Sequence, residues 1–372
     1  MNLPKKKLIT CTIPKISNMT KVDEFRSKFE SALVDIANRT PEETRCLILS
    51  GGVDTCAILA AARKYDIKFQ AAITVVCGDS SPDKDFAAAA AKEHGIPHHI
   101  VTITPEELVS EYLPPCVKNL ETFDGMTLRN SLVVAASFQK VSELGFKDIV
   151  CGDGADELFG GYSFMWGNED NPEQWKEKRD KMCAQWTFAT SALAHMYGLT
   201  PHSPYMEPKF VEWVVQNIVR SDCITTCPIR LVYNGETQDH QTGKLILREA
   251  YETVASWRRK DPIEVGSGVT IIKKDDYWDT EISDEQFSKR VEELKDRGFV
   301  IKSKESLVNF NVFEKCFAKE KEGGEKVIEL SNKKRLEIGK GCAGCCFEIG
   351  DRTFCRICGA YPAQRSTCIQ AN

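Results

Sequence analysis

The stretch Arg45-Cys46-Leu47-Ile48-Leu49-Ser50-Gly51-Gly52-Val53-Asp54-Thr55-Cys56-Ala57-Ile58-Leu59 passes from a short apolar run through two glycines into an alanine-rich helical pattern. A strand that turns through glycine into a helix gathers backbone N–H groups and the positive helix N-terminus at one point, where an anion can bind. Gly51 and Gly52 let the backbone approach phosphate closely. The loop lacks the lysine of the GxxxxGK(S/T) phosphate motif, and Asp54 would repel bare phosphate unless a divalent cation intervened. Pyrophosphate bound with magnesium satisfies both constraints. The bland alternative is an ordinary strand-to-helix turn.

Outward from this stretch, short apolar runs alternate with helical ones. Cys46 to Leu49, Ala71 to Val76, His99 to Ile103 and Asp148 to Cys151 read as strands; Thr55 to Tyr65, Lys84 to His94 and Leu128 to Glu143 read as helices. That order predicts an α/β fold, a parallel sheet of the five-stranded type flanked by helices, with ligands at the carboxyl ends of its strands. Before it, residues 1–40 hold a basic leader and an amphipathic helix around Val22 to Ala37. Beyond Gly161 the pattern reads as helical through Val219, with Trp175, Trp186 and Trp213 as packing residues. A further helix starts at Ser283, where Ser283 and Gln286 suit a capping box and Phe287, Val291 and Leu294 share a face. Ala318 to Lys326, with Gly323-Gly324 and mixed charge, reads as a flexible linker. The expected domains are 1–40, 41–270, a helical extension and linker at 271–330, and a cysteine-rich module at 331–372.

A second acidic glycine loop follows the fourth strand: Gly152-Asp153-Gly154-Ala155-Asp156-Glu157-Leu158-Phe159-Gly160-Gly161-Tyr162. Three carboxylates on one tight loop repel one another unless solvated or bound to metal. In a parallel sheet both loops open at the same edge, so Asp54 and Asp156 can hold one metal ion between them.

The two loops together resemble the synthetase domain of asparagine synthetases, members of the ATP pyrophosphatase (PP-loop) superfamily, whose fold is like that of the adenine nucleotide alpha hydrolases. The resemblance continues through Val76 with Ser81-Pro82-Asp83, Glu121 to Asp124 with Thr127-Leu128-Arg129, Lys244 to Ala250, and Arg259-Lys260-Asp261, in the family's order. It implies that ATP is bound with Mg2+, that Ser50, Gly51, Gly52, Asp54, Thr55 and Gly152 contact its pyrophosphate, and that Val76 meets adenine through its backbone. Asp156 would be the second magnesium carboxylate, Lys260 would stabilise the adenylation transition state, and Asp153 would be a base for incoming ammonia. Arg129 and Glu157 would be substrate contacts. The implied activity is an AMP-forming carbon–nitrogen ligase acting on aspartate or a related acid.

Two departures shape that expectation. Glutamine-dependent members begin with a cysteine and a glutaminase domain, whereas here Met1 precedes Asn2 and about forty residues come before the first strand. The expectation is that free ammonia, an amine or a separate glutaminase supplies nitrogen. In the segment Pro201 to Phe210, Ser203-Pro204-Tyr205-Met206-Glu207 replaces the family's V-P-F-L-D and His202 stands where arginine is usual, which loosens the link to aspartate.

Cysteine usage points to a metal rather than disulfides, since six of the sixteen cysteines fall between Cys342 and Cys368. Cys342-x-x-Cys345 and Cys355-x-x-Cys358 are two knuckles nine residues apart, a spacing that suits four thiolates around Zn2+. An iron–sulfur cluster is the rival occupant, with Cys346 and Cys368 as further thiols. Zinc ribbons also occur in tRNA-thiolating PP-loop proteins, and Arg352, Arg356 and Arg365 are available to phosphates. A sulfur transferase that adenylates a tRNA base is therefore the alternative function, and a nucleotide-binding scaffold without catalysis is a third. His98 and His99 read as packing or surface residues, Cys223 and Cys227 as a weak loop pair, and Cys56 and Cys77 as small apolar fillers.

The net charge of -5 gives no sign of a general nucleic-acid-binding surface, so any tRNA contact would be local. The N-terminus has no apolar signal segment and no later run approaches 18 apolar residues, so the expected location is cytoplasmic, without membrane. Oligomeric state is not legible.

Overall fold

The computed structural model describes residues 19–78, 81–167, 171–320 and 326–364. The leader, Gly323-Gly324, Arg365 and Cys368 lie outside these residues.

Strands form where apolar runs bury on both faces, as parallel sheets require. All seven residues of β2 (Ala71–Cys77) are buried, as are the first three of β1 (Arg45–Ile48). With β3 (His98–Ile103), β4 (Asp148–Val150) and β5 (Thr200–His202) they make a five-stranded sheet of order β3-β2-β1-β4-β5. β1 runs parallel to β2, with Cys46 opposite Ala71, and parallel to β4, with Arg45 opposite Asp148; β4 runs parallel to β5. The strand order reverses between β1 and β4. Loops leaving these two strands diverge from a crevice, the switch point at which open α/β sheets bind ligands.

The structure divides into two compact units, one drawing its described residues from 19–76, 81–101 and 137–267, the other from 77–78, 102–136 and 268–364. In the first, helix α1 (Lys21–Arg39) starts at a Thr20/Asp23 capping box and buries Phe25, Phe29, Leu33 and Ile36. Phe25, Phe29, Phe159, Tyr205 and Phe210 pack ring against ring, with Phe29 and Tyr205 centroids 4.8 Å apart. Helices α2 (Val53–Lys64) and α3 (Pro82–His94) follow β1 and β2. Trp175 is fully buried, and Trp186 and Trp213 pack partly buried against the same core, as expected for packing residues. His98 bonds through Nε2 to Thr74 Oγ1 at 2.8 Å, a packing role.

Three expectations about elements are corrected. The span read as helical through Val219 contains β5, a three-residue strand at the sheet edge, the place where a proline such as Pro201 is tolerated. Cys227 lies not in a loop but in β6 (Thr225–Arg230), which pairs antiparallel with β7 (Thr237–Thr242). The linker reading fails at its ends, because β8 (Ala318–Glu320) and β9 (Lys326–Ile328) form an antiparallel pair.

The second unit has its own core, in which Phe123, Phe299, Phe310 and Phe313 cluster. The helix Asp284–Asp296 carries the Ser283/Gln286 capping box. The cysteine segment is tied into this unit: Phe123 N–H donates to the Ile357 carbonyl at 2.8 Å, and Val300 N–H to that of Gly344 at 2.9 Å. Among the described residues no helix is long and apolar enough to cross a membrane.

Candidate active site and candidate metal centre

Gly51 adopts φ +68°, and a Cβ there would lie 2.6 Å from Ala87 N and 2.8 Å from the Asp83 carbonyl oxygen, so the turn accepts only glycine. Gly52 then caps α2 without a side-chain bond, leaving the helix N-terminus to other partners. Ser50 Oγ accepts from Gly52 N–H at 3.3 Å and lies 3.4 Å from Thr55 Oγ1. The loop after β4 packs directly on this turn: a Cβ on Gly152 would lie 2.9 Å from Asp54 Cβ. Val76 is buried at the end of β2.

The carboxylates of Asp54 and Asp156 converge, as the sequence predicts, and they converge on Lys244. Its Nζ lies 2.7 and 2.6 Å from the two Asp54 oxygens and 2.9 Å from Asp156 Oδ1. Lys260 Nζ lies 3.4 Å from the same Asp156 oxygen. Lys244 is 1% exposed, with left-handed backbone at φ 64° and its N–H donating to the Phe159 carbonyl. Gly161 makes room for it, since a Cβ there would fall 1.7 Å from Asp156 Oδ1 and 2.6 Å from Lys244 Cε.

Burial raises the Asp156 pKa, but Lys244 and Lys260 outweigh it and hold the carboxyl below its ordinary value. For Asp54 burial wins and the value is raised, with Lys244 opposing and Asp156 adding to it. Burial alone would depress Lys244; the two aspartates reverse this and hold it charged. The metal fit can be judged on these contacts. Two carboxylates within 3 Å of one common cation are a hard-oxygen pair that suits Mg2+, so the residues fit the ion, with Lys244 already supplying positive charge between them.

Asp153 is raised in pKa by burial, while hydrogen bonds with Thr190 and Cys151 oppose the rise; its carbonyl accepts from Ser203 Oγ at 2.6 Å. Glu157 is buried, raised in pKa by burial, and accepts the Tyr162 hydroxyl at 2.7 Å. Arg129 has its described contacts within the second unit. It belongs to the second unit, buried, with Nη1 donating to both oxygens of Glu305 at 2.6 Å, an internal ion pair. Lys244 is the site residue that the sequence reading did not single out; its signal was its place at the head of the Lys244 to Ala250 stretch.

In the second unit the Sγ atoms of Cys342, Cys345, Cys355 and Cys358 all lie within 4.8 Å of one another. Cys342 and Cys358 are 3.5 Å apart, and Cys345 and Cys355 3.6 Å. Cys346 is turned away, its thiol donating to the Gly298 carbonyl. The four thiols can therefore hold a metal ion. Elsewhere burial pushes Cys56 up to about 12 and Cys77 up to about 11, in keeping with inert fillers.

Residues 38–199 match the family described as asparagine synthase. Over 278 residues the chain is 26% identical to the glutamine-hydrolyzing asparagine synthetase B of Escherichia coli K12, covering 68% of this chain and 47% of that protein. Over 225 residues it is 28% identical to a probable glutamine-hydrolyzing asparagine synthetase of Dictyostelium discoideum, covering 56% and 38%. The chain thus spans about half or less of the length of these relatives. Among solved structures, U34-tRNA thiolase NcsA from Methanococcus maripaludis, with its 4Fe-4S cluster, aligns at 15% identity and TM-score 0.32 over 77% of this chain and 84% of that one. Residues 38–199, which contain both glycine loops and the switch point between them, are thus asparagine synthetase-like in sequence.

Proposed function

We propose that the chain is an ATP-dependent, AMP-forming amide ligase. The observation that carries this is the meeting of Asp54, Asp156, Lys244 and Lys260 at the sheet's switch point. Two carboxylates and two ammonium groups balance in sum, so incoming phosphates exchange with carboxylates as partners of the lysines rather than entering an unscreened field. In the first step an oxygen of the acid attacks the α-phosphorus, an O–P bond forms, and the bond to the leaving pyrophosphate breaks. Lys260 and Lys244 face the charge that develops on the phosphate oxygens. Asp54 and Asp156 are the residues that would hold Mg2+, which supplies charge neutralisation to the leaving group when bound. In the second step ammonia attacks the acyl carbon, AMP leaves with the bonding pair, and Asp153, kept basic by its burial, takes the proton from nitrogen.

The acid is aspartate or a related carboxylate, and ammonium is the nitrogen source to supply in the test. Pyrophosphate and AMP are measured after mixing ATP, magnesium and ammonium with a panel of amino acids, and separately with tRNA. Release that depends on a carboxylic acid, and that is abolished by Asp54→Asn, is the expected result. Release that needs tRNA and ignores every acid would replace this reading with base thiolation.

For the cysteine centre we propose a single tetrahedral Zn2+. Four Zn–S bonds of about 2.3 Å place thiolates roughly 3.8 Å apart, close to the separations of 3.5 and 3.6 Å found here, whereas a cubane spreads its four ligands around a larger body.

A further inference from the structure

Arg258 stands where three segments of the first unit meet. Its guanidinium donates from Nη1 to the Gly51 carbonyl at 2.9 Å and from Nη2 to Asp83 Oδ1 at 2.8 Å. Nε donates to the Arg259 carbonyl at 3.2 Å, and the Phe86 ring centroid is 4.2 Å from Cζ. The side chain is 4% exposed. Its own backbone is fixed as well, because the Arg258 carbonyl accepts from Arg248 Nη1 at 3.1 Å and Arg259 N–H donates to the Arg230 carbonyl at 2.8 Å. Two residues further on, Lys260 reaches Asp156.

We propose that Arg258 is a positioning residue that couples the pyrophosphate loop to Lys260, so that occupancy of the loop and placement of the lysine are set together. This rests on the ligase reading above. A carbonyl and the following N–H belong to one rigid peptide plane, so pinning the Gly51 oxygen fixes the orientation of the Gly51–Gly52 unit. The same fork is anchored to α3 through Asp83, and α3 is the element that crowds Gly51 from the other side. A planar guanidinium holds its two Nη donors in fixed, diverging directions, a geometry that the rotating, compact ammonium of lysine does not impose. Movement of Gly51 when an anion enters is therefore transmitted to the backbone that carries Lys260.

Hydrogen exchange with magnesium pyrophosphate as the probe separates coupling from mere support. In the wild type the probe should protect amides of both 50–55 and 257–261; in Arg258→Lys it should protect 50–55 alone, with kcat for pyrophosphate release lowered at least about tenfold at saturating ATP. Asp83→Asn, which removes the charge that anchors one arm of the fork to α3, serves as a second variant and should weaken the transmitted protection in the same direction. A purely supporting residue would lower protection of both segments whether or not the probe is present. Protection that still reaches 257–261 in Arg258→Lys, or that never reaches it in the wild type, overturns the coupling while leaving the ligase reading intact. A wild type that neither binds the probe nor releases pyrophosphate overturns the ligase reading, and the coupling falls with it.

Discussion

At the scale of single residues, Lys244 has the clearest consequence. Removing one partner from a buried ion cluster leaves uncompensated charge, so Lys244→Met should destabilise the protein by on the order of 3 kcal/mol in urea unfolding at neutral pH. Magnesium should restore part of that loss, because Asp54 and Asp156 then share the added cation; no response to magnesium would count against a joint metal site. Asp83 makes a pH prediction. Burial lifts its pKa to about 6 against the opposing pull of Arg258. The folded state thus binds more protons than the unfolded state between the ordinary value of 3.8 and about 6, and Asp83's contribution to stability falls as pH rises through that window. Activity has the opposite sign, since protonation removes the Asp83–Arg258 ion pair. Pyrophosphate release should decline as pH falls through about 6, and Asp83→Asn should lack that limb of the profile.

Among the elements, the two glycine loops are fixed by close approach. Gly51→Ala forces a side chain into φ +68° and against the backbone of α3, while Gly161→Ala drives a methyl into Asp156. Both variants should lose pyrophosphate release, and Gly51→Ala should also lower the melting temperature, by a strain of about 1 kcal/mol or more; Gly161→Ala with full activity would show that the Lys244 arrangement is not the working one. The strands that frame these loops were legible because Cys46 to Leu49 is an unbroken apolar run and Ala71 to Val76 one interrupted only by Thr74, both bounded by turns. β5 was not, because three residues including a proline carry no period, and it becomes a strand by pairing with β4. The β6–β7 hairpin escaped for a similar reason, its faces being largely polar and half exposed. The aspartates of the site could be read from their glycine neighbours. Lys244 was harder to read: it heads the Lys244 to Ala250 stretch, but its partner Asp54 lies 190 residues away in sequence.

For the whole molecule, the cysteine centre provides a direct check. One zinc per chain by elemental analysis is expected, and chelation should lower the melting temperature, because the thiolates that hold the segment together would then repel. Iron together with visible charge-transfer absorption would instead place a cluster there. The acidic and basic halves of the Asp54, Asp156, Lys244 and Lys260 quartet also arrive at different times during synthesis. Asp54 and Asp156 are translated well before Lys244 and Lys260, the span from Asp156 to Lys260 taking roughly 5–20 s at about 5–20 residues per second. Until the lysines emerge, the β1 and β4 loops carry carboxylates that cannot be buried without partners. The nascent sheet is therefore obliged to keep its switch point hydrated and open, and burial of that crevice becomes a late event in the making of the protein.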